Sequence, residues 1–189
     1  VDSRARSGCV GVPIPGTAIR IVADSGEDTE SGDPGEIWVK GPGVFLGYWP
    51  DRDGGPDSQG WFGTGDIGYQ DEAGALHLVD RRRELIIVNG FNVFPREVEV
   101  ALEELDDIPE AAVLGRPVSE TGEGVSALVV LAPGSSATVE FISEAVAKSL
   151  ARFKCPTQIR IVSNLPRSAT GKIAKGRLRE VYGEIIEQV

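Results

Sequence analysis

The sequence predicts an α+β protein in two parts: a β-rich segment over residues 1–80, then a small α+β domain over 81–189, a three-stranded sheet with helices. Three observations carry this. The front third alternates β-branched runs with turns rich in Gly, Pro and Asp. Beyond Arg83, apolar residues recur at helical spacing between short apolar runs, the pattern of a sheet covered by helices. The net charge of −10 is also unevenly spread: residues 1–80 carry 14 Asp and Glu against 5 Lys and Arg, and the rest 15 against 14.

In chain order, Thr17 to Ala23 and Glu36 to Lys40 read as strands. The acidic stretch between them ends in Asp33-Pro34-Gly35, a turn signal. Residues 50–60 are too rich in Gly, Pro and Asp for anything but a loop. Asp71 to Gly74 reads as the turn of a hairpin joining Ile67–Gln70 to Ala75–Val79. Pro95 suits a helix start, with Val98, Ala101, Leu102 and Leu105 following at helical spacing. Glu110 to Leu114 and Val125 to Leu131 are strands, the second nearly all apolar and so central. Phe141, Ile142, Ala145, Val146, Ser149 and Leu150 form one helical stripe, and Leu178, Val181, Tyr182, Ile185 and Ile186 another. Gln158 to Val162 is a short strand between them, and helices are expected on one side of the sheet.

Composition narrows the function. An acidic front half argues against nucleic acid, which needs a basic surface to displace counterions. No apolar stretch reaches membrane-spanning length and no signal-peptide pattern opens the chain, so cytoplasm is the default expectation. With no methionine and Val1 in first place, the chain reads as a fragment or processed product. Cys9 and Cys155 lack metal-ligand spacing and read as inert thiols. His77, the only histidine, lies in an alternating run and reads as a strand-face residue.

Three motifs carry chemistry. Gly60-Trp61-Phe62-Gly63-Thr64-Gly65-Asp66 is a Gly-dense turn that lets backbone approach a ligand closely. The Asp66 carboxylate can accept from two vicinal hydroxyls, as on a ribose, or cap its own turn. Asp80 to Pro95 (DRRRELIIVNGFNVFP) carries the triplet Arg81-Arg82-Arg83, which by itself reads as a solvated charged turn or a basic patch for a polyanion. Its Gly90 suits a narrow channel wall or, equally, a strand end. Pro166 to Ile173 (PRSATGKI) places Lys172 in a Gly-preceded turn before the last helix. A P-loop is excluded, because Pro166 and Ile173 stand where that motif needs glycine and a hydroxyl.

In this order the three segments resemble the closing motifs of the adenylate-forming superfamily, in particular bacterial AMP-forming fatty acyl-CoA ligases. The resemblance spans nearly the whole chain and implies the rear part of such an enzyme. Residues 1–80 would be the β-rich final subdomain of the large N-terminal adenylation domain, and 81–189 the mobile C-terminal domain, hinged near Arg83. It implies that Asp66 and Arg81 bind the nucleotide (ATP, then AMP) and that Lys172 serves adenylation. Gly90 would face the CoA pantetheine. Arg83 departs from the lysine or aspartate usual at the hinge but keeps a long polar side chain. The phosphate loop, the Mg²⁺-binding glutamate and the acyl pocket belong to a region absent from this sequence, so no metal ligand is expected within it. Val1 to Pro15 resembles the stretch of these enzymes just after that glutamate.

The implied partners are small molecules: a carboxylic acid, first of all a fatty acid, with ATP and CoA. Oligomeric state is unreadable. Delivery of the acyl group to a carrier protein, oxidation of the acyl-AMP, and a non-catalytic binding module are the alternatives.

Overall fold

Residues 8–118 and 122–186 are described by a computed structural model, side chains up to Tyr182. The chain divides between Arg83 and Glu84 into two compact units.

The first unit is an antiparallel sheet of β1 (Cys9–Gly11), β2 (Ala18–Val22), β3 (Gly35–Lys40), β4 (Phe62–Gln70) and β5 (Leu76–Arg81). Its order is β1-β5-β4-β3-β2. Ile21, Ile37 and Leu76 form its small buried core. The expected hairpin at 71–74 is present: Asp71 Oδ1 accepts the N–H groups of Ala73 and Ala75 at 3.0 and 2.9 Å. Asp71 Oδ2 lies 3.0 Å from His77 Nε2, and the His77 ring stacks on Tyr69 with centroids 4.7 Å apart. The hydrogen bond to His77, then that from Ala75, holds the Asp71 carboxyl below its ordinary pKa. His77 is thus a buried turn-and-strand clasp.

Unlike the expected Gly-dense turn, Gly63 to Asp66 lies inside β4. Gly63 pairs with Trp38 and Ile67 with Glu36, so Thr64, Gly65 and Asp66 stand against the single Ile37. This is a bulge: Gly65 takes φ +73°, Thr64 Oγ1 donates to Ile37 O at 2.8 Å and accepts from Asp66 N at 3.1 Å. Long-range pairing on both edges makes strand of a segment whose composition signals a turn.

The second unit begins with a hairpin of β6 (Ile86–Val88) and β7 (Phe91–Val93). Asn89 and Gly90 link them with φ +51° and +80°, the paired positive values of a type I′ turn, which Asn-Gly favours. Helix α1 (Pro95–Glu103) follows with proline at its first turn, as expected. Then come β8 (Glu110–Val118), β9 (Gly122–Val130), α2 (Val139–Val146), β10 (Gln158–Ile161) and α3 (Lys175–Ile186). Thr138 caps α2 by accepting from Phe141 N at 3.3 Å.

The α+β class holds, but the sheet is larger than the three strands expected. β9 is central, pairing antiparallel with β8 and parallel with β10, and β6 with β7 extends the sheet beyond it. Helices also cover both faces instead of one. Ala111, Val113, Val125, Ala127 and Val129 pack with Val98 and Leu102 of α1 and Ile142 and Val146 of α2. The alternate residues Ala112, Leu114 and Leu128 pack with Leu178 of α3 and with Leu165. A strand buried on both faces loses the polar-apolar alternation that would have shown a second helix layer.

Candidate active site

The two residues of the first unit that the resemblance assigns to the nucleotide are brought together. Asp66 and Arg81 are cross-strand partners on β4 and β5, and Arg81 Nε lies 2.6 Å from Asp66 Oδ1. The Arg81 side chain is 60% exposed and Asp66 28%, so the pair lies open to a ligand at the end of the sheet. Arg81 closes β5 itself, not the turn after it. The bulge aims Asp66, and Glu36 supports the bulge: its Oε1 accepts from Gly65 N at 3.2 Å, while its Oε2 pairs with Arg82. Arg82 also reaches Asp24 at 3.4 Å, so two of the three arginines serve ion pairs within this unit. Arg83 is exposed in the 3-10 turn Arg82–Glu84, within which the first unit ends.

Lys172 and Gly90 belong to the second unit. Lys172 is exposed in a tight turn: Ser168 N donates to Lys172 O at 2.8 Å, Gly171 N to Ser168 O at 2.9 Å, and Arg167 bridges to Ile173. Arg167 Nη1 donates to Gly171 O at 2.7 Å, and its other nitrogen pairs with Glu110 at the start of β8. Ala174 N donates to Pro166 O at 2.8 Å and Leu178 N to Ala174 O at 3.1 Å, fastening the turn to the first residues of α3. A Cβ on Gly90 would meet nothing within 4 Å in this unit, so its positive φ is the demand for glycine that the fold itself makes.

Two features escaped the sequence reading. The first is a buried ion cluster at the foot of the Lys172 turn. Lys175 Nζ lies 2.7 Å from Glu84 Oε2 and 2.8 Å from Glu99 Oε1. Glu99 also accepts from Val113 N at 3.0 Å and lies 3.5 Å from Arg96. Burial works against the Lys175 charge, but Glu99 and then Glu84 outweigh it and push the ammonium pKa above its usual value. The signal was available: Glu99 sits between Val98 and Leu102 on the apolar stripe of α1, where a 5% exposed carboxylate requires a cation. The second is a cleft of about 500 Å³ that includes Asn89, Gly124, Arg152, Phe153, Cys155 and Thr157. Phe153 stacks on Phe91 of β7 with centroids 4.8 Å apart. Partial burial raises the Cys155 thiol pKa, consistent with an inert thiol.

Among the described residues no group of three metal-ligating side chains is present, and no helix is long and apolar enough to cross a membrane.

The first unit thus holds a bulge-borne carboxylate paired with an arginine, and the second a lysine on a braced turn. The family comparisons supply the class. Residues 1–49 match the AMP-binding enzyme model, and residues 97–172 match the AMP-binding enzyme C-terminal domain. The chain belongs to this AMP-binding, adenylate-forming family. It is 40% identical over 181 residues to a long-chain-fatty-acid–CoA ligase of Yersinia pestis, covering 95% of this chain and 32% of that protein. It is 38% identical over 182 residues to an indoleacetate–CoA ligase of Aromatoleum aromaticum, covering 95% and 36%. Among solved structures, ATP-bound MatB from Rhodopseudomonas palustris superposes with a TM-score of 0.89 at 38% identity, covering 95% of this chain and 37% of that one. The chain spans about a third of the length of the curated relatives it matches.

Proposed function

We propose that this chain is the rear part of an ATP-dependent, AMP-forming fatty acyl-CoA ligase, residues 1–80 closing its adenylation domain and 81–189 forming a domain that turns about Arg83. The complete enzyme would join a carboxylic acid to ATP as acyl-AMP with loss of pyrophosphate, then pass the acyl group to the CoA thiol. The observation that carries the reading is the Asp66–Arg81 pair, exposed at a strand end with its bulge braced by Glu36. The family relatives named as CoA ligases support the activity, and the long-chain ligases among them support a fatty acid as substrate.

Each residue then has a physical task. Asp66 accepts hydrogen bonds from the ribose hydroxyls, and Arg81 presents a planar fork of donors to ribose or phosphate oxygens. Attack of the carboxylate on the α-phosphorus builds negative charge on the phosphoryl oxygens, which the Lys172 ammonium offsets. The hairpin residues Asn89 and Gly90, beside the cleft that Phe153 lines, face the CoA arm in the second step. Magnesium, expected with ATP, would be held by the glutamate that the family resemblance places outside these 189 residues.

The test separates the half-reactions in the complete ligase. Lys172→Ala is expected to slow acyl-AMP synthesis on the order of 100- to 1,000-fold. Thioester formation from preformed acyl-AMP and CoA should stay near the parent rate. Loss of both steps, or of neither, overturns the assignment.

A further inference from the structure

Lys172 does not stand on its own. The nine residues from Pro166 to Ala174 are closed by the Ala174 N–H to Pro166 O bond, and Lys175, the first residue of α3, comes directly after. Whatever holds Lys175 therefore holds the Lys172 tip. Lys175 is held by two carboxylates from different places in the chain. Glu99 lies on α1, 6% exposed and fixed in turn by the Val113 N–H of β8. Glu84 is the first residue after the Arg83 boundary, closing the 3-10 turn Arg82–Glu84. The ammonium keeps a side-chain exposure of only 14%, so solvent screens these contacts weakly.

We propose that Lys175 is a positioning residue for adenylation: with Glu99 and Glu84 it locks the Lys172 tip to the first residue beyond the hinge, so that the tip and the hinge exit move as one body. This rests on the reading of Lys172 and Arg83 given above. A rotation at Arg83 is transmitted to Glu84 by the backbone, to Lys175 through the ion pair, and to Lys172 through the short turn. Without the clamp, α3 is still seated by Leu178 in the core, but its first turn and the Lys172 tip lose their tie to the hinge. The error would be small in distance and costly in rate, because displacing a group by about 1 Å from the reacting atoms can cost on the order of 100-fold.

The experiment uses the complete ligase with Lys175→Ala, Lys175→Arg, Glu84→Gln and, as reference, Lys172→Ala. Acyl-AMP synthesis is measured with its kcat and its KM for ATP, and thioester formation is measured from preformed acyl-AMP. Lys175→Ala is expected to lower kcat of the first step about 10- to 100-fold. Its KM for ATP should stay within about threefold, because the nucleotide is bound by Asp66 and Arg81, and the thioester step should also hold. Lys175→Arg should recover most of the loss by restoring the cation. Glu84→Gln, on a side chain 28% exposed and leaving the Glu99 pair intact, should lose several-fold in the same step only, which keeps the test valid if Lys175→Ala misfolds. If Lys172→Ala disables adenylation while Lys175→Ala and Glu84→Gln do not, the positioning role is overturned and the Lys172 assignment survives. If Lys172→Ala itself leaves adenylation intact, both are overturned. Equal loss of the two half-reactions in Glu84→Gln reduces the clamp to a stabilising ion pair and also overturns the proposal.

Discussion

Replacing Arg81 with alanine should separate binding from folding. The folded state loses one ion pair, Arg81 Nε to Asp66 Oδ1 at 2.6 Å, between side chains 60% and 28% exposed. A pair that open to water contributes at most about 1 kcal/mol to stability. For a unit of this size that shifts the melting temperature by about 4–8 °C or less. Asp66 stays partly solvated after the change, so no buried charge is stranded. The nucleotide complex loses more. A hydrogen bond from a charged donor contributes about 1.5–3 kcal/mol, which is on the order of 10- to 150-fold in affinity. Thermal melting of the 189-residue chain and the KM for ATP in acid-dependent pyrophosphate exchange by the complete ligase give the two readings. A change in KM below about threefold would refute the nucleotide contact. A melting loss beyond about 10 °C, with activity falling in proportion, would mean the pair is structural.

Four further outcomes rest on the same contacts. Gly68→Ala should destabilise the first unit by about 2–3 kcal/mol in urea titrations, because a Cβ there would stand 2.4 Å from the backbone oxygen of His77 and 2.7 Å from Ile37. Asp71 has a lowered folded-state pKa, so its stabilising contribution is present above the unfolded carboxyl pKa and is lost as pH falls through the folded one; melting of the first unit should decline only below about pH 4, and Asp71→Asn should flatten that acid limb. Cys155, with its raised thiol pKa, should alkylate more slowly than free cysteine at pH 8 by mass spectrometry, and equal rates would contradict its partial burial. Arg83→Pro in the complete ligase should spare acyl-AMP synthesis and block thioester formation, because proline fixes φ at the proposed turning point.

Local signals were legible where local chemistry decides the structure. Pro95 began its helix, Asp71 to Gly74 turned their hairpin, and the apolar run from Val125 became the central strand. What escaped depends on distant partners. Gly63 to Asp66 looks like a turn in isolation and becomes bulged strand only because β3 and β5 pair with its two edges. The β6–β7 hairpin had a local signal in Asn89-Gly90 between Ile86-Ile87-Val88 and Phe91-Asn92-Val93, but a glycine suited to a channel wall carries the same signature. The second helical layer left no period-two trace, since β8 offers apolar residues to both faces. Among the candidate residues, Asp66, Arg81 and Lys172 were legible as motifs, whereas Lys175 gave no sign without its two carboxylates in view.

Covering β9 on both faces and pairing it along both edges also builds a clock into the second unit. Amides of Val125 to Val129 exchange hydrogen with solvent only when the whole unit opens, so their rate reads its global stability. The Ser168 and Gly171 amides, tied only within their exposed turn, exchange through small local openings. One isotope-exchange time course on one sample thus records the loosening of the Lys172 tip against an internal standard in the same unit. Any substitution that speeds the tip while leaving the central strand unchanged has altered the Lys172 turn without touching the fold.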